Sequence, residues 1–223
     1  MGPVTFGDSQ LVQTRRDTVV DTLESARTIL HCSVHLKRVV DDILICSKLE
    51  SDLLHVAPDR VKLQGCVADT ISMFQAELKS SAIELTYEID NSIEALQIDQ
   101  VYLDPSRLAQ VIINCLTNAI KFTRDEARRF IQVRLAASID RPDSSMLGVK
   151  IIPRKHVESS AFMSGADWGM GQDVFVHVAI SDTGKGLTPS ELESLFQRFR
   201  QASHRTHVRY GGSGLGLYIA REL

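Results

Sequence analysis

The chain has 223 residues, 43% hydrophobic and 24% charged, with a formal net charge of −3, a balance that suits one substantial soluble domain with an attached element. No apolar run approaches the ~20 residues that span a bilayer, and no signal-peptide pattern opens the chain. Net acidity without a basic-aromatic stripe argues against a nucleic-acid partner.

Cys32, Cys46, Cys66 and Cys115 show no CxxC spacing and lie among apolar neighbours. They read as buried free thiols in a reducing, cytoplasmic setting rather than as a metal or disulfide site.

Met1 to Gln10, with two glycines and a proline, make a poor helix. From near Arg15 to near Leu54, before Pro58, the pattern predicts one long amphipathic helix. Ile29, Leu36 and Ile43 recur every seven residues, and Cys32, Val39, Cys46 and Leu53 supply the second heptad position. Lys37, Asp41, Asp42 and Lys48 take its polar side. So narrow a seam requires a partner helix.

From Val61 onward the pattern is mixed. Val67, Ile71, Phe74 and Leu78 mark one helical face, and Ile83, Leu85, Tyr87 and Ile89 alternate as a strand. Asp104 and Pro105 supply the cap and first residue of a further helix. On that helix Leu108, Val111, Ile112, Cys115, Leu116 and Ala119 form the apolar stripe. Asn114, Asn118 and Lys121 fall at i, i+4 and i+7 on the opposite side. Phe130 to Ala136 and Val174 to Ile180 read as strands. Between them Ser138 to Gln172 is long and scattered with Gly, Pro and Ser, as expected of disorder or a surface excursion.

Asp182-Thr183-Gly184-Lys185-Gly186 follows the last strand, then Phe196-Gln197-Arg198-Phe199, then Gly212-Ser213-Gly214-Leu215-Gly216-Leu217. A carboxylate beside a glycine turn, two amides on one helix and a phosphate-sized glycine loop together describe an ATP site. Gly212, Gly214 and Gly216 open a helix near Leu215, whose exposed backbone N–H groups form an anion site. From Phe196 to Tyr210 there are four arginines (Arg198, Arg200, Arg205 and Arg209), with His204 and His207, and no acidic residue, a cationic segment suited to covering a triphosphate.

With Asn114-Cys115-Leu116-Thr117-Asn118-Ala119-Ile120-Lys121, these segments resemble, in their usual order, the N, G1, F and G2 boxes of the histidine protein kinases. That family sits in the wider group of Hsp90, MutL and DNA gyrase. The resemblance covers roughly half of the chain with four motifs. It extends to Val39-Val40-Asp41-Asp42-Ile43-Leu44 and Ser47-Lys48-Leu49-Glu50, which look like the second helix of a kinase dimerisation bundle. The stretch Arg200 to Ser203 and Thr206 to Gly212 is similar to fungal-type hybrid kinases.

The resemblance implies an α+β fold, a two-layer α/β sandwich of the Bergerat (GHKL) type, preceded by a long bundle helix and cut at both ends. It divides the chain into residues 1–57, a partial dimerisation helix, and 58–223, an ATP-binding catalytic domain with an insertion at 138–172. ATP and Mg²⁺ are the implied cofactors. Asn114, Asn118 and Lys121 are the implied catalytic residues, with Asn118 the magnesium ligand. The nucleotide is met by Asn118, Lys121, Phe122, Asp182, Gly184, Gly186, Phe199, Gly212, Gly214, Leu215 and Gly216. Asp182, as a buried carboxylate at a strand end, would accept from the adenine amino group, which guanine lacks.

The implied reaction moves the ATP γ-phosphoryl group to a protein histidine and on to a receiver aspartate, in a homodimer. His31 and His35 lack a following Asp or Glu, so the acceptor-histidine helix comes from elsewhere. In ATP-hydrolysing relatives the position of Asn114 is a glutamate that activates water. An amide is no base, which favours kinase over ATPase. The alternative is a truncated, catalytically idle nucleotide-binding or dimerisation module regulating a full-length kinase.

Overall fold

The computed structural model describes residues 6–51, 53–143, 149, 151–152, 171–199 and 213–223, without the side chains of 6–14, 31, 34, 35 and 38. By contacts the chain divides into two units, Met1–Leu44 and Ile45–Leu223.

The first unit is helical. Helix α1 runs over Phe6–Glu50, so its last turn belongs to the second unit. It starts nine residues before the expected Arg15, because Pro3 precedes it and Gly7 is the one glycine inside it. Ile29, Leu36 and Ile43 are 66%, 64% and 49% exposed, so the first heptad position is uncovered, whereas Cys46 of the second is buried. Cys32, also at the second position, is exposed, unlike the burial expected of it. Lys37 and Asp41 pair at 3.6 Å along the polar side, but Asp42, read as part of that side, is buried. Among the described residues no helix is long and apolar enough to cross a membrane.

The second unit is α+β. After α1 come β1 (Asp59–Lys62), α2 (Leu63–Ser72), α3 (Gln75–Ser80), β2 (Glu84–Ile89), α4 (Asn91–Ala95), β3 (Gln100–Leu103) and α5 (Pro105–Thr123). They are followed by β4 (Phe130–Ser138), β5 (Phe175–Asp182), α6 (Pro189–Ser194) and α7 (Gly216–Glu222). Helices pack on a three-stranded sheet ordered β2-β4-β5, with β2 parallel and β5 antiparallel to β4. A separate antiparallel pair joins β1 to β3, with Asp59 opposite Leu103.

The sheet and helix faces expected from spacing meet in one core. Val67, Ile71, Phe74 and Leu78 lie under it with Ile112, Leu116 and Ile120 of α5 and Ile131, Val133 and Leu135 of β4. Burying one such aliphatic side chain is worth ~1.5–3 kcal/mol, so this cluster dominates the folding of the unit. Ser138 of β4 is opposite Phe175 of β5, so the Ser138–Gln172 stretch leaves and rejoins the sheet at one place. Residues 144–148, 150 and 153–170 of it lie outside the described residues.

Helix α5 begins as its sequence requires. Asp104 accepts from the backbone N–H of Ser106 at 2.9 Å and of Arg107 at 3.2 Å, with Pro105 following the cap. It also accepts from Ala57 N–H at 3.0 Å, tying the segment after α1 to the start of α5. Burial alone would raise the Asp104 carboxyl. The bonds from Ser106, Ala57 and Arg107 outweigh it and hold the group below the usual carboxylate range.

Candidate functional site

Helix α5 is the spine of the site. One side faces α2 and the sheet, and α7 packs on another. Asn114, read from periodicity as part of an open polar side, is therefore 3% exposed. Its side-chain N–H donates to the carbonyl oxygen of Gly216 at 3.0 Å. Periodicity sees one buried stripe per helix, and a second cover contributed by a distant segment falls outside it. Conversely Leu108, Val111 and Cys115 of the expected stripe are only half-buried. Burial still pushes the Cys115 thiol above its ordinary pKa, away from a reactive thiolate.

The glycine turns reach α5 at two levels. A Cβ on Gly216 would stand 3.2 Å from Asn114 Oδ1. At the other end, a Cβ on Gly184 would stand 3.1 Å from the carbonyl oxygen of Phe122 and 2.6 Å from Asp182 Oδ1. No side chain fits there, which is why the turn needs glycine at that position. Gly186 and Gly214 need it for another reason: their φ values are +68° and +70°.

The Asp182 turn is held firmly. Gly184 N–H donates to Asp182 Oδ1 at 2.8 Å, and Thr183 Oγ1 accepts from Phe130 N–H at 3.0 Å while donating to Arg128 O at 2.7 Å. Asp182 is the last residue of β5 and is exposed, not buried as expected. The strand end opens outward there, so its carboxylate faces solvent from a rigid turn.

Two ammonium groups flank one ring. Lys121 Nζ lies 5.4 Å and Lys185 Nζ 5.7 Å from the centroid of Phe122. Lys185 also lies near Glu191, whose carboxyl is held below its usual range chiefly by the Thr188 N–H and hydroxyl, with a smaller part from Lys185. Asn118 is half-buried, one turn after Asn114 and four residues before Phe122, between the two glycine contacts. Among the described residues no group of three or more His, Cys, Asp or Glu side chains could cage a metal.

The side chain of Leu215 is fully buried with Cys46, Tyr218 and Ile219, and its N–H donates to Ser213 Oγ at 3.2 Å. An apolar side chain beside a packed helix start contributes to the core first. Phe199 is 69% exposed, with φ +55°. Gly212 and the cationic segment from Arg200 to Tyr210 lie outside the described residues.

Motif spacing does not single out Thr183 or Lys185 within the Asp182 turn, and Glu50 and Tyr218 join the surroundings of the site only through tertiary contacts.

Residues 103–223 match the model of the histidine kinase-, DNA gyrase B- and HSP90-like ATPases. The chain belongs to that family. Its relatives include histidine kinases. It is 25% identical over 240 residues to probable histidine kinase 5 of Oryza sativa subsp. japonica, covering 97% of this chain and 19% of the relative. It is 29% identical over 206 residues to histidine kinase 1 of Arabidopsis thaliana, covering 87% of this chain and 16% of the relative. The chain thus spans less than a fifth of either. The crystal structure of full-length ShkA in complex with AMPPNP has the same fold, with TM-score 0.55, 20% identity, and coverage of 99% of this chain and 34% of that one.

Proposed function

We propose that residues 58–223 bind Mg-ATP as the catalytic domain of a two-component histidine kinase, and that residues 1–57 supply the second helix of a dimerisation bundle. The observation that carries this reading is the docking of two glycine turns on one helix: Gly216 on Asn114 and Gly184 on Phe122. Eight residues of α-helix separate the two levels by about 12 Å, a span suited to a nucleotide laid along α5.

Each end offers the chemistry that its part of the ligand needs. Asp182 accepts from the adenine amino group at one level. Lys121 and Lys185, on either side of Phe122, bring positive charge to the site for an anionic ligand. Asn118 offers a hard amide oxygen to magnesium, which keeps several waters and is held largely through phosphate oxygens, so no protein cage is required. The bound nucleotide supplies the phosphoryl group. Asn114 supports transfer over hydrolysis, since it is an amide, buried, and donating to a backbone carbonyl, and so is unsuited to activating water. The acceptor is a histidine on a bundle helix supplied elsewhere, in a homodimer, with a receiver aspartate after it. The match to the histidine kinase-, DNA gyrase B- and HSP90-like ATPases, with histidine kinases among the relatives, supports this reading.

The test is to incubate the chain with Mg-ATP and a separately made acceptor helix. Acid-labile phosphate on that helix is expected, with none on the chain alone. ATP binding without transfer would leave an idle module, and absence of ATP binding would remove the nucleotide reading itself.

A further inference from the structure

We propose that Arg198 is a positioning residue, tying helix α7 of the nucleotide site to the last turn of α1 through Tyr218 and Glu50. This inference rests on the nucleotide reading above. Arg198 Nη2 donates to the Tyr218 hydroxyl at 2.6 Å, and its guanidinium carbon lies 4.6 Å from the centre of that ring. Its Nη1 forms an ion pair with Glu50, the final residue of α1. On the same ring, the Arg221 guanidinium lies 5.6 Å from the centroid and pairs with the buried Glu222.

The contacts matter because of what they surround. Tyr218 follows Gly214 and Gly216 by less than two turns, and Leu215 and Ile219 pack with Cys46 of α1 in the same cluster. Arg198 therefore closes the polar rim of the apolar seam that seats α7. Glu50 is 47% and Arg198 38% exposed in their side chains, so the ion pair by itself contributes little. The convergence of ion pair, hydrogen bond and ring contact on one planar guanidinium makes Arg198 the joint. Lysine keeps the charge but loses the planar fork. The position of α7 sets where Gly216 meets Asn114, so loosening the joint reaches the nucleotide without touching it.

The experiment uses the full chain with Arg198→Ala, Glu50→Gln, both together, Arg198→Lys and Tyr218→Phe. Hydrogen exchange over Leu215–Leu223 is followed without nucleotide, and ADP affinity is measured with magnesium. In Arg198→Ala, exchange should quicken about tenfold and ADP bind roughly three- to tenfold more weakly. The double variant should be no worse than Arg198→Ala alone, since both act through one joint. Arg198→Lys should recover part of the loss, and Tyr218→Phe should show a smaller one. Additive effects of Glu50→Gln and Arg198→Ala, or unchanged exchange in Arg198→Ala, overturn the proposal. If Arg198→Ala does not fold, Tyr218→Phe decides alone: unchanged exchange and affinity overturn it. A wild-type chain that fails to bind ADP removes the nucleotide reading, while the exchange measurements still judge the joint.

Discussion

Asn114 donates its side-chain amide to the carbonyl oxygen of Gly216 across 3.0 Å, joining residues 102 positions apart. Asn114 is 3% exposed, so its amide has little water as a substitute for this bond. Asn114→Ala should cost about 1–3 kcal/mol and weaken nucleotide binding along with stability. Asn114→Asp should cost more, because a carboxylate has no N–H for the carbonyl and adds buried charge. Urea unfolding of the three proteins checks the order. Equal midpoints for wild type and Asn114→Ala would remove the bond from any structural role.

Two glycines of the Asp182 turn should respond to alanine for different reasons. Gly184→Ala places a Cβ 2.6 Å from Asp182 Oδ1 and against the Phe122 backbone, so the turn must move, at about 1–3 kcal/mol. Gly186→Ala meets open space but keeps φ +68°, which costs roughly 1–2 kcal/mol in backbone conformation alone. Only the first shifts Asp182. ATP affinity should therefore fall more than stability explains in Gly184→Ala and track stability in Gly186→Ala.

Ligand contacts are tested apart from the fold. Asp182→Asn should weaken adenine-nucleotide binding by about 1.5–3 kcal/mol through one lost charge-assisted hydrogen bond. Equal ATP affinities by calorimetry would end that assignment. Asn118→Ala should abolish the dependence of binding on magnesium, as alanine offers no oxygen. A magnesium enhancement as large as in the wild type would place the metal elsewhere.

Acid should loosen the second unit. Asp90 caps α4, and the Ser92 backbone N–H, the Ser92 hydroxyl and Arg134 hold its carboxyl at about 2, against an ordinary 3.8. Asp104 is depressed likewise. A folded-state pKa below the unfolded one stabilises above the unfolded value, and that stability is lost as pH falls. For Asp90 the loss runs from about 4 down to about 2. Asp90→Asn should flatten the decline over this range while lowering stability at neutral pH, where the Arg134 ion pair is gone. Denaturant midpoints from pH 2 to 7 read the two slopes. Parallel curves would show that Asp90 does not control the acid limb.

The exposed stripe of α1 predicts association. Ile29 and Leu36 repeat at heptad spacing and are more than 60% exposed. Ile29→Lys with Leu36→Lys should convert a dimer to a monomer in sedimentation, with the midpoint of the second unit unchanged. An identical sedimenting mass before and after the change would exclude this stripe from the interface.

The sequence by itself determined much of the local structure. Alternation marked β2, apolar runs marked β4 and β5, and Asp104-Pro105 marked the start of α5, because period and cap chemistry act over a few residues. The glycine motifs marked both turns, since positive φ and close approach leave few other choices. Tertiary structure decided what lies farther apart. Strands β1 and β3 are four residues each, too short for a period, and exist through their pairing. The burial of Asn114 depends on α7 arriving from the far end of the chain. The joint of Glu50, Arg198 and Tyr218 gathers residues from three separate segments. A side chain's partner is fixed by where the fold carries it, and that information resides in the whole core rather than in any window of sequence.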